Sequence, residues 1–539
     1  MLAGDENLAF TANVTTIFYL STTLISIEPR FFDFKRKKEY NNFAKLSCHI
    51  FIPMNEHQTE EAARLQRLQS LKEINIDPYP ARAERTHSIA EARQSPVESV
   101  VTIAGRLLSK RDMGKLCFSH LKDASGKMQV AFSAKELEDS VYKFFLKNFD
   151  LGDFVSVTGS VFLTKKGEIT VMAGSLTLLS KSLLPLPEKF HGLSNIEIRY
   201  RQRYLDLLAN EESMRVARTR SLLVREIRNY FDSRDFFEVE TPILQPIYGG
   251  ANARPFVTHH HALDMTLYLR IAPELYLKRL IVGGFEKVYE ISRCFRNEGI
   301  DQNHNPEFTQ IEFYWAYADY NKLMDLIEEL LPRLIQSVGL SLKFTAEGKE
   351  VDFTPPYPRK TMRELLGKYA HLDIENYPNQ PKLYNKAIEL KVENVDKESG
   401  YGKLVDEIYK KCVRPHIINP IFIIDHPVEL SPLAKRKYDN PRYAERMQLL
   451  CVGGNELCNG FSELNDPLDQ EARFKEQECL RAKGDEEGMP YDEDFVTALK
   501  YGMPPTAGLG MGIDRLVKLL VGADNLKEVI LFPTLKSEK

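Results

Sequence analysis

The chain has 539 residues, 43% of them hydrophobic and 27% charged, with a formal net charge of −4. That length and apolar content suffice for two or three well-buried domains. The small net charge excludes a polycation that coats nucleic acid indiscriminately, so any RNA contact must come from local basic patches.

Residues 1–53 look foreign to the rest of the chain. No charge occurs between Asn7 and Ile27, then Glu28 arrives, and soon after it the basic run Lys35-Arg36-Lys37-Lys38. The uncharged span has membrane length, but its many Thr and Ser residues make insertion weak. It lacks the early basic region and small-residue cleavage site of a signal peptide. The expectation is that the pattern of the folded chain starts at Met54 and that residues 1–53 are an atypical extension from upstream translation, with a poor membrane anchor or an organelle address as the alternatives, which N-terminal sequencing of native material checks.

Residues 54–95 open with a helical stretch, Thr59 to Ile74, in which Leu65, Leu68, Leu71 and Ile74 recur at about helical period. Arg64, Arg67 and Lys72 lie off that stripe and are expected on a solvated face. Residues 96–182 alternate β-rich runs with turn signals: Val100–Leu108, Leu116–Leu121, Met128–Phe132, Phe154–Phe162 and Glu168–Ala173. A helix is expected between the third and fourth runs, at about Lys135–Leu146. Five short strands with that helix form the pattern of an all-β OB-fold, whose sheet face binds oligonucleotides.

The stiff connector Leu183-Leu-Pro-Leu-Pro187 leads into a third stretch, 183–539. Leu222, Leu223, Ile227, Tyr230 and Phe231 fall at helical spacing, predicting a helix over Ser213–Ser233 that enters a strand from Phe236 to Pro242. Gly249-Gly250-Ala251 comes next. His259-His260-His261 invites a metal reading, but adjacent residues in a strand point to opposite faces, which argues against one shared ion. The seven cysteines, at 48, 117, 294, 412, 451, 458 and 479, contain no C-x-x-C pair and suit a reducing cytoplasm better than a zinc ribbon.

The densest segment runs from Arg293-Cys-Phe-Arg296-Asn-Glu298-Gly through His304-Asn-Pro-Glu307-Phe308 to Tyr314. It reads as strand, polar loop, strand. Period two places Phe308, Gln310, Glu312 and Tyr314 on one face, with Arg296 at the loop edge. An arginine fork suits phosphate, an aromatic plate suits a base and a carboxylate suits a cation, so ATP plus a cationic small molecule is the partner pair these groups fit best. Residues 360–413 are helix-rich and charged and read as an insertion without chemistry of its own. Near the end, Gly508-Leu-Gly510-Met-Gly512-Ile-Asp514-Arg515 allows close backbone approach to a ligand, and the apolar run after it reads as a helix with Arg515 in its first turn. No G-x-x-x-x-G-K-[ST] string occurs.

Helix and Pro-punctuated strand, hairpin, and glycine strand in that order resemble motifs 1, 2 and 3 of the class II aminoacyl-tRNA synthetases. The strings Arg270-Ile-Ala-Pro-Glu274-Leu-Tyr-Leu-Lys, Phe295-Arg-Asn-Glu-Gly and Asn459-Gly-Phe461-Ser-Glu463-Leu-Asn-Asp look like the lysyl branch. The resemblance covers roughly Asn55 to Pro533. Its asparaginyl and aspartyl relatives usually carry Glu-Arg where this chain has Asp514-Arg515. It implies an α+β catalytic domain on an antiparallel sheet, a separate OB-fold that grips the anticodon of tRNA(Lys), ATP and L-lysine as substrates, Mg²⁺ accompanying ATP, a homodimer and a cytoplasmic location without membrane attachment.

It also implies roles. Arg296 meets the α-phosphate and the substrate carboxylate; Arg515 and His304 meet the γ-phosphate; Phe308 stacks under adenine; Glu298 orients its amino group; Asn305 completes the ATP site. Glu463 and Tyr314 should lie near the substrate's ε-ammonium with Glu312 close by, and Glu274 and the Gly250 backbone should hold the α-ammonium. Period two puts Asn459, Phe461 and Glu463 on one face of their strand. Apolar amino acids would leave these carboxylates unpaired, a physical route to rejecting methionine, leucine and glutamine but not ornithine. Glu456 and Glu463 are the metal candidates. Glu456 is out of register with that face, so a bulge must intervene, and the sequence reads Arg446-Met447-Gln448 where the family usually has a second glutamate. A neutral amide binds Mg²⁺ less strongly. Arg106, Phe118, Gln129 and Glu168 match residues that stack on or hydrogen-bond anticodon bases, with core packing the competing account of Phe118. Rival functions are lysylation of a protein, an RNA-binding pseudo-enzyme, and aspartyl or asparaginyl specificity. The retained OB pattern argues against the first, and Arg296, Glu298, Arg515 and Glu463 argue against the second.

Overall fold

The structure is a computed structural model that describes residues 56–187, 193–482 and 488–537. The extension 1–53 and the start at Met54 therefore lie outside the described residues. The chain divides into two compact units between Pro185 and Leu186.

In the first unit, strands β1 (Val100–Asp112), β2 (Leu116–Lys122), β3 (Lys127–Ser133), β4 (Phe154–Leu163) and β5 (Ile169–Ser180) close a barrel in the order β1-β2-β3-β5-β4. Only β3 and β5 run parallel. Strict alternation fills the barrel: Cys117, Ser119 and Leu121 are buried while Phe118, His120 and Lys122 face outward. The expected helix exists but starts at Asp139, because residues 134–136 turn first and Glu138 takes φ 65°. Its Phe145 stacks on Phe132 with ring centroids 4.2 Å apart and plugs the barrel.

The helix Glu56–Glu73 corrects the expected stripe. Leu65 and Ile74 are 45% and 54% exposed, whereas Arg64 is 4% exposed beside the fully buried Leu71. Arg64 donates to Glu60 and to the carbonyls of Leu151, Ser182 and Leu184, and Arg67 pairs with Asp150 at 2.6 Å. Period alone cannot show this, since a guanidinium becomes a core residue only when the fold brings carbonyls to it.

The second unit adds β6 (Phe237–Glu238), β7 (Leu244–Gln245), β8 (Phe256–His260), β9 (Met265–Leu269), β10 (Lys287–Phe295) and β11 (Glu307–Ala316). After them come β12 (Lys343–Ala346), β13 (Lys349–Asp352), β14 (Arg359–Thr361), β15 (Ile421–Pro427), β16 (Tyr443–Cys451), β17 (Asn455–Ser462) and β18 (Thr506–Gly512). Eight of these form one sheet in the order β14-β15-β16-β17-β18-β11-β10-β6, antiparallel except at its two edges. Helices Glu211–Asp232, Tyr320–Ser337 and Ile513–Val521 cover one face, packing Leu223, Ile227, Leu323, Ile327, Leu516 and Val517 against Ile311, Phe313, Leu509 and Met511. The alternate side chains of the same strands are left for the other face, where the site lies.

The helix expected over Ser213–Ser233 is present. The strand expected to reach Pro242 shrinks to two residues, because only Phe237 and Glu238 find partners, Val288 and Tyr289, in β10. The expected insertion holds helices Met362–Ala370, Gln380–Glu389 and Tyr401–Cys412, whose core is shared with Ile423 of β15 and Tyr443 and Leu450 of β16. His259 and His261 stand on an exposed hairpin, and among the described residues no group of three or more His, Cys, Asp or Glu is set to hold a metal. The six described cysteines are free, and no described helix is long and apolar enough to cross a membrane.

Candidate active site

Strand β18 forms the floor of a cavity of about 350 Å³. Register aligns its glycines with side chains on both neighbours: Tyr314, Gly508 and Phe461 form one row, and Glu312, Gly510 and Asn459 the next, with Gln310 opposite Gly512. Directly opposed residues share a face, so the glycines open a trough and β11 and β17 supply its walls. Gly508 is sterically required, since a β-carbon there would overlap Glu463 Oε1 and the Tyr314 ring. At Gly510 and Gly512 a β-carbon meets only ordinary contacts. Gly250 has φ +87°, and its β-carbon would sit 2.8 Å from that of Glu274.

One end of the trough is cationic. Arg296 lies 5.0 Å from the Phe308 ring centroid; its buried Nε has no hydrogen-bond partner, nor has Asn305 Oδ1. A buried guanidinium nitrogen without a partner beside an aromatic plate fits a nucleotide's phosphate and base. His304 Nε2 is 3.3 Å from Arg515, whose guanidinium also reaches the Glu456 carbonyl at 3.4 Å. Glu298 stands exposed at the rim. Asp514, 2% exposed, accepts from the Thr309 backbone at 2.8 Å and pairs with Arg220 at 2.5 Å, tying the helices Glu211–Asp232 and Ile513–Val521 to β11 of the hairpin. No spacing rule pointed to Arg220.

The other end is anionic and dry. Glu274, Glu312 and Glu463 are 6%, 6% and 2% exposed. Glu312 accepts from Gln310 at 2.5 Å and from the Tyr314 hydroxyl at 3.2 Å. Burial, reinforced by the nearby Glu274 charge, pushes its carboxyl up to about 8. The fully buried ammonium of Lys278, which sequence reasoning did not single out, sits between Glu274, at 2.6 Å, and Glu463. Arg446 was also missed as a site residue; it lines the cavity and donates to Asn459 at 2.8 Å.

The expected bulge is present. Glu456 faces Leu450 while Cys458 faces Leu449, and the extra residue lets both Glu456 and Asn459 reach the cavity. The same geometry corrects the metal pair. Glu463 is held by Lys278 at the dry end, roughly 20 Å of strand away from Glu456, so the two carboxylates do not converge on one ion. Glu456 instead accepts from the Gln448 amide at 3.0 Å. Gln448 in turn lies 3.2 Å from His426, which burial and then Arg446 hold down at about 3.

On the barrel, Phe118 is half-buried on the outer face, not in the core. His120 lies opposite Gln129, bonds Ser109 at 2.9 Å and sits 3.6 Å from Glu168, a neighbour that the sequence did not flag. Gln129 is 8% exposed, and its amide is engaged by Glu168 and Thr170. Arg106 stacks 4.2 Å over Phe154 and donates to the Gly152 carbonyl, so its guanidinium is partly spent within the barrel.

Comparison with known proteins gives two family matches: "tRNA synthetases class II (D, K and N)" over residues 195–536 and "OB-fold nucleic acid binding domain" over residues 101–179. The chain is 50% identical over 476 residues to a lysine–tRNA ligase of Carboxydothermus hydrogenoformans, covering 88% of this chain and 97% of that protein. It is 49% identical over 481 residues to the one of Moorella thermoacetica, covering 89% and 98%. With the one of Pelotomaculum thermopropionicum it shares 48% identity over 511 residues, covering 93% and 99%.

Proposed function

Because the chain belongs to the lysine–tRNA ligases of the class II synthetases, we propose that its glycine-floored trough is where lysine meets ATP. The enzyme attaches L-lysine to tRNA in two steps: the lysine carboxylate attacks the α-phosphorus of ATP and expels diphosphate, and the lysyl-adenylate then passes lysine to a terminal ribose hydroxyl of the tRNA, releasing AMP. Such transfer depends on positioning and charge neutralisation more than on a protein nucleophile. The observation that carries the assignment is the polarity of the trough, cationic and aromatic at one end and carboxylate-lined at the other, along a floor whose Gly508 admits no side chain.

Arg296 bridges the substrate carboxylate and the α-phosphate, bringing nucleophile and electrophile together while offsetting charge that builds in the transition state. Phe308 carries the adenine, Glu298 and Asn305 fix its edge and ribose side, and His304 with Arg515 hold the γ-phosphate. Glu274 and the Gly250 backbone take the α-ammonium; Glu463, Tyr314 and Glu312 take the ε-ammonium, with Asn459 and Phe461 as the wall. Mg²⁺ brought with ATP supplies phosphate charge neutralisation when bound. Glu456 would hold it as a single anionic ligand, since its neighbour Gln448 is neutral.

The outer barrel face of Phe118, His120, Gln129 and Glu168 is the proposed reader of the anticodon. A cytoplasmic enzyme suits the six free cysteines among the described residues. A homodimer suits the apolar surface beside edge strand β6, where Phe237, Ile243 and Leu244 are 62%, 44% and 48% exposed; sedimentation at about twice the 61.9 kDa chain mass supports it and a fully active monomer overturns it. The activity itself is tested by pyrophosphate exchange with each of the amino acids in turn. Exchange that depends on lysine is expected; exchange that depends on aspartate or asparagine, or none, would overturn the reading.

A further inference from the structure

Behind the carboxylate end of the trough lies an ammonium that neither step of the reaction uses. Lys278 belongs to the helix Glu274–Val282 and is 0% exposed. It reaches back one helical turn to Glu274 Oε1 at 2.6 Å and across to Glu463 Oε2 at the end of β17. The Phe461, Phe495 and Tyr314 rings surround it at 5.4, 5.9 and 6.0 Å from their centroids. Such a cation is costly to bury without a purpose that its partners share.

What it does to those partners is visible in the free oxygens. Each carboxylate gives Lys278 one oxygen and keeps the other. The remaining Glu463 oxygen, Oε1, has no hydrogen-bond partner and lies against the Gly508 floor, where a β-carbon would strike it. The Glu274 side chain packs its Cβ against Gly250, where a β-carbon would sit 2.8 Å from it. Two buried carboxylates, Glu274 and Glu463, share this one ammonium, and a substrate ammonium brings them a further positive charge.

Resting on the reading of Glu274 and Glu463 as the two ammonium acceptors, we propose that Lys278 is a positioning residue for amino-acid specificity, pinning one oxygen of each acceptor so that the other faces the trough. It touches neither substrate nor ATP. Removing it leaves the two carboxylates free to turn toward each other's solvation or toward Arg446, and the substrate must then order them itself. The cost falls on lysine binding, not on the chemical step or on ATP.

The test is steady-state pyrophosphate exchange by the full-length enzyme and its Lys278→Met, Lys278→Gln and Lys278→Arg variants, with thermal melts to establish folding. For folded Met or Gln variants the KM for lysine should rise about 30-fold or more, the scale of losing one partner of a buried charge pair, while the KM for ATP and kcat at saturating lysine stay within about threefold. Arg keeps the charge and should recover most of that loss. A merely structural role would instead lower kcat through a smaller active fraction at constant KM. Should Met fail to fold, Gln decides, being polar and of similar length. A wild-type enzyme without lysine-dependent exchange would sink the functional reading; a normal wild type with an unchanged or lowered lysine KM in a folded variant would overturn the role of Lys278 alone.

Discussion

Glu312 makes lysine binding a proton-releasing event. Its carboxyl has an ordinary value of 4.5 and is raised to about 8 by burial and then by Glu274, so at neutral pH it is protonated. A folded-state value above the unfolded one means the group contributes stability that is complete below 4.5 and lost as pH climbs toward 8. At 1.36 kcal/mol per pH unit the whole loss is about 5 kcal/mol. The ε-ammonium of lysine reverses the balance, since a cation at hydrogen-bond range favours the carboxylate. Binding should then expel up to one proton, and between about pH 5 and pH 8 the lysine dissociation constant should fall by up to tenfold per pH unit. Calorimetric titration of lysine at neutral pH in phosphate and in Tris reads the proton from the difference in apparent enthalpy. The Glu312→Gln variant should remove most of that buffer dependence, and its melting temperature should change less than wild type's between about pH 5 and pH 8. Identical enthalpies for the wild type in both buffers would refute the protonated Glu312 and the argument built on it.

Arg296→Ala should abolish adenylate formation at a cost of roughly 3 kcal/mol or more while leaving tRNA binding and the melting curve near wild type; near-normal pyrophosphate exchange would show that its unpartnered Nε serves no phosphate. Phe118→Ala, on the outer barrel face, should cut tRNA lysylation by the roughly 1–3 kcal/mol of a lost base stack and spare exchange, whereas a parallel fall in both would make Phe118 structural. Gly508→Ala should force Glu463 and Tyr314 off their positions, raising the lysine KM and lowering stability by roughly 1–3 kcal/mol, while Gly510→Ala, whose β-carbon meets only ordinary contacts, should fold normally by the same melt; equal destabilisation of the two would contradict the glycine geometry.

Much of this was written in the sequence. Period two along β11 placed Phe308, Gln310, Glu312 and Tyr314 on one face, and the structure keeps them there because helices pack the other side of the sheet and a one-residue slip would turn all four into that apolar core. The five barrel strands and the bulge before Asn459 were legible for the same reason, that alternation and its interruption are local properties of the chain. The helix over 213–233 was legible from its stripe, whereas the strand after it was overestimated, because strand length depends on a partner that local pattern does not reveal.

What the sequence left undecided are the groups whose roles exist only across distance. Arg64 was assigned to solvent and is buried on carbonyls from Leu151, Ser182 and Leu184. Arg220 finds Asp514 nearly three hundred residues away, and Glu463 loses its place beside Glu456 because Lys278 claims it. A long cationic side chain looks the same in a sequence whether it waves in water or is buried on carboxylates. The difference is a desolvation cost met by partners from other elements, and that balance is set by tertiary structure alone.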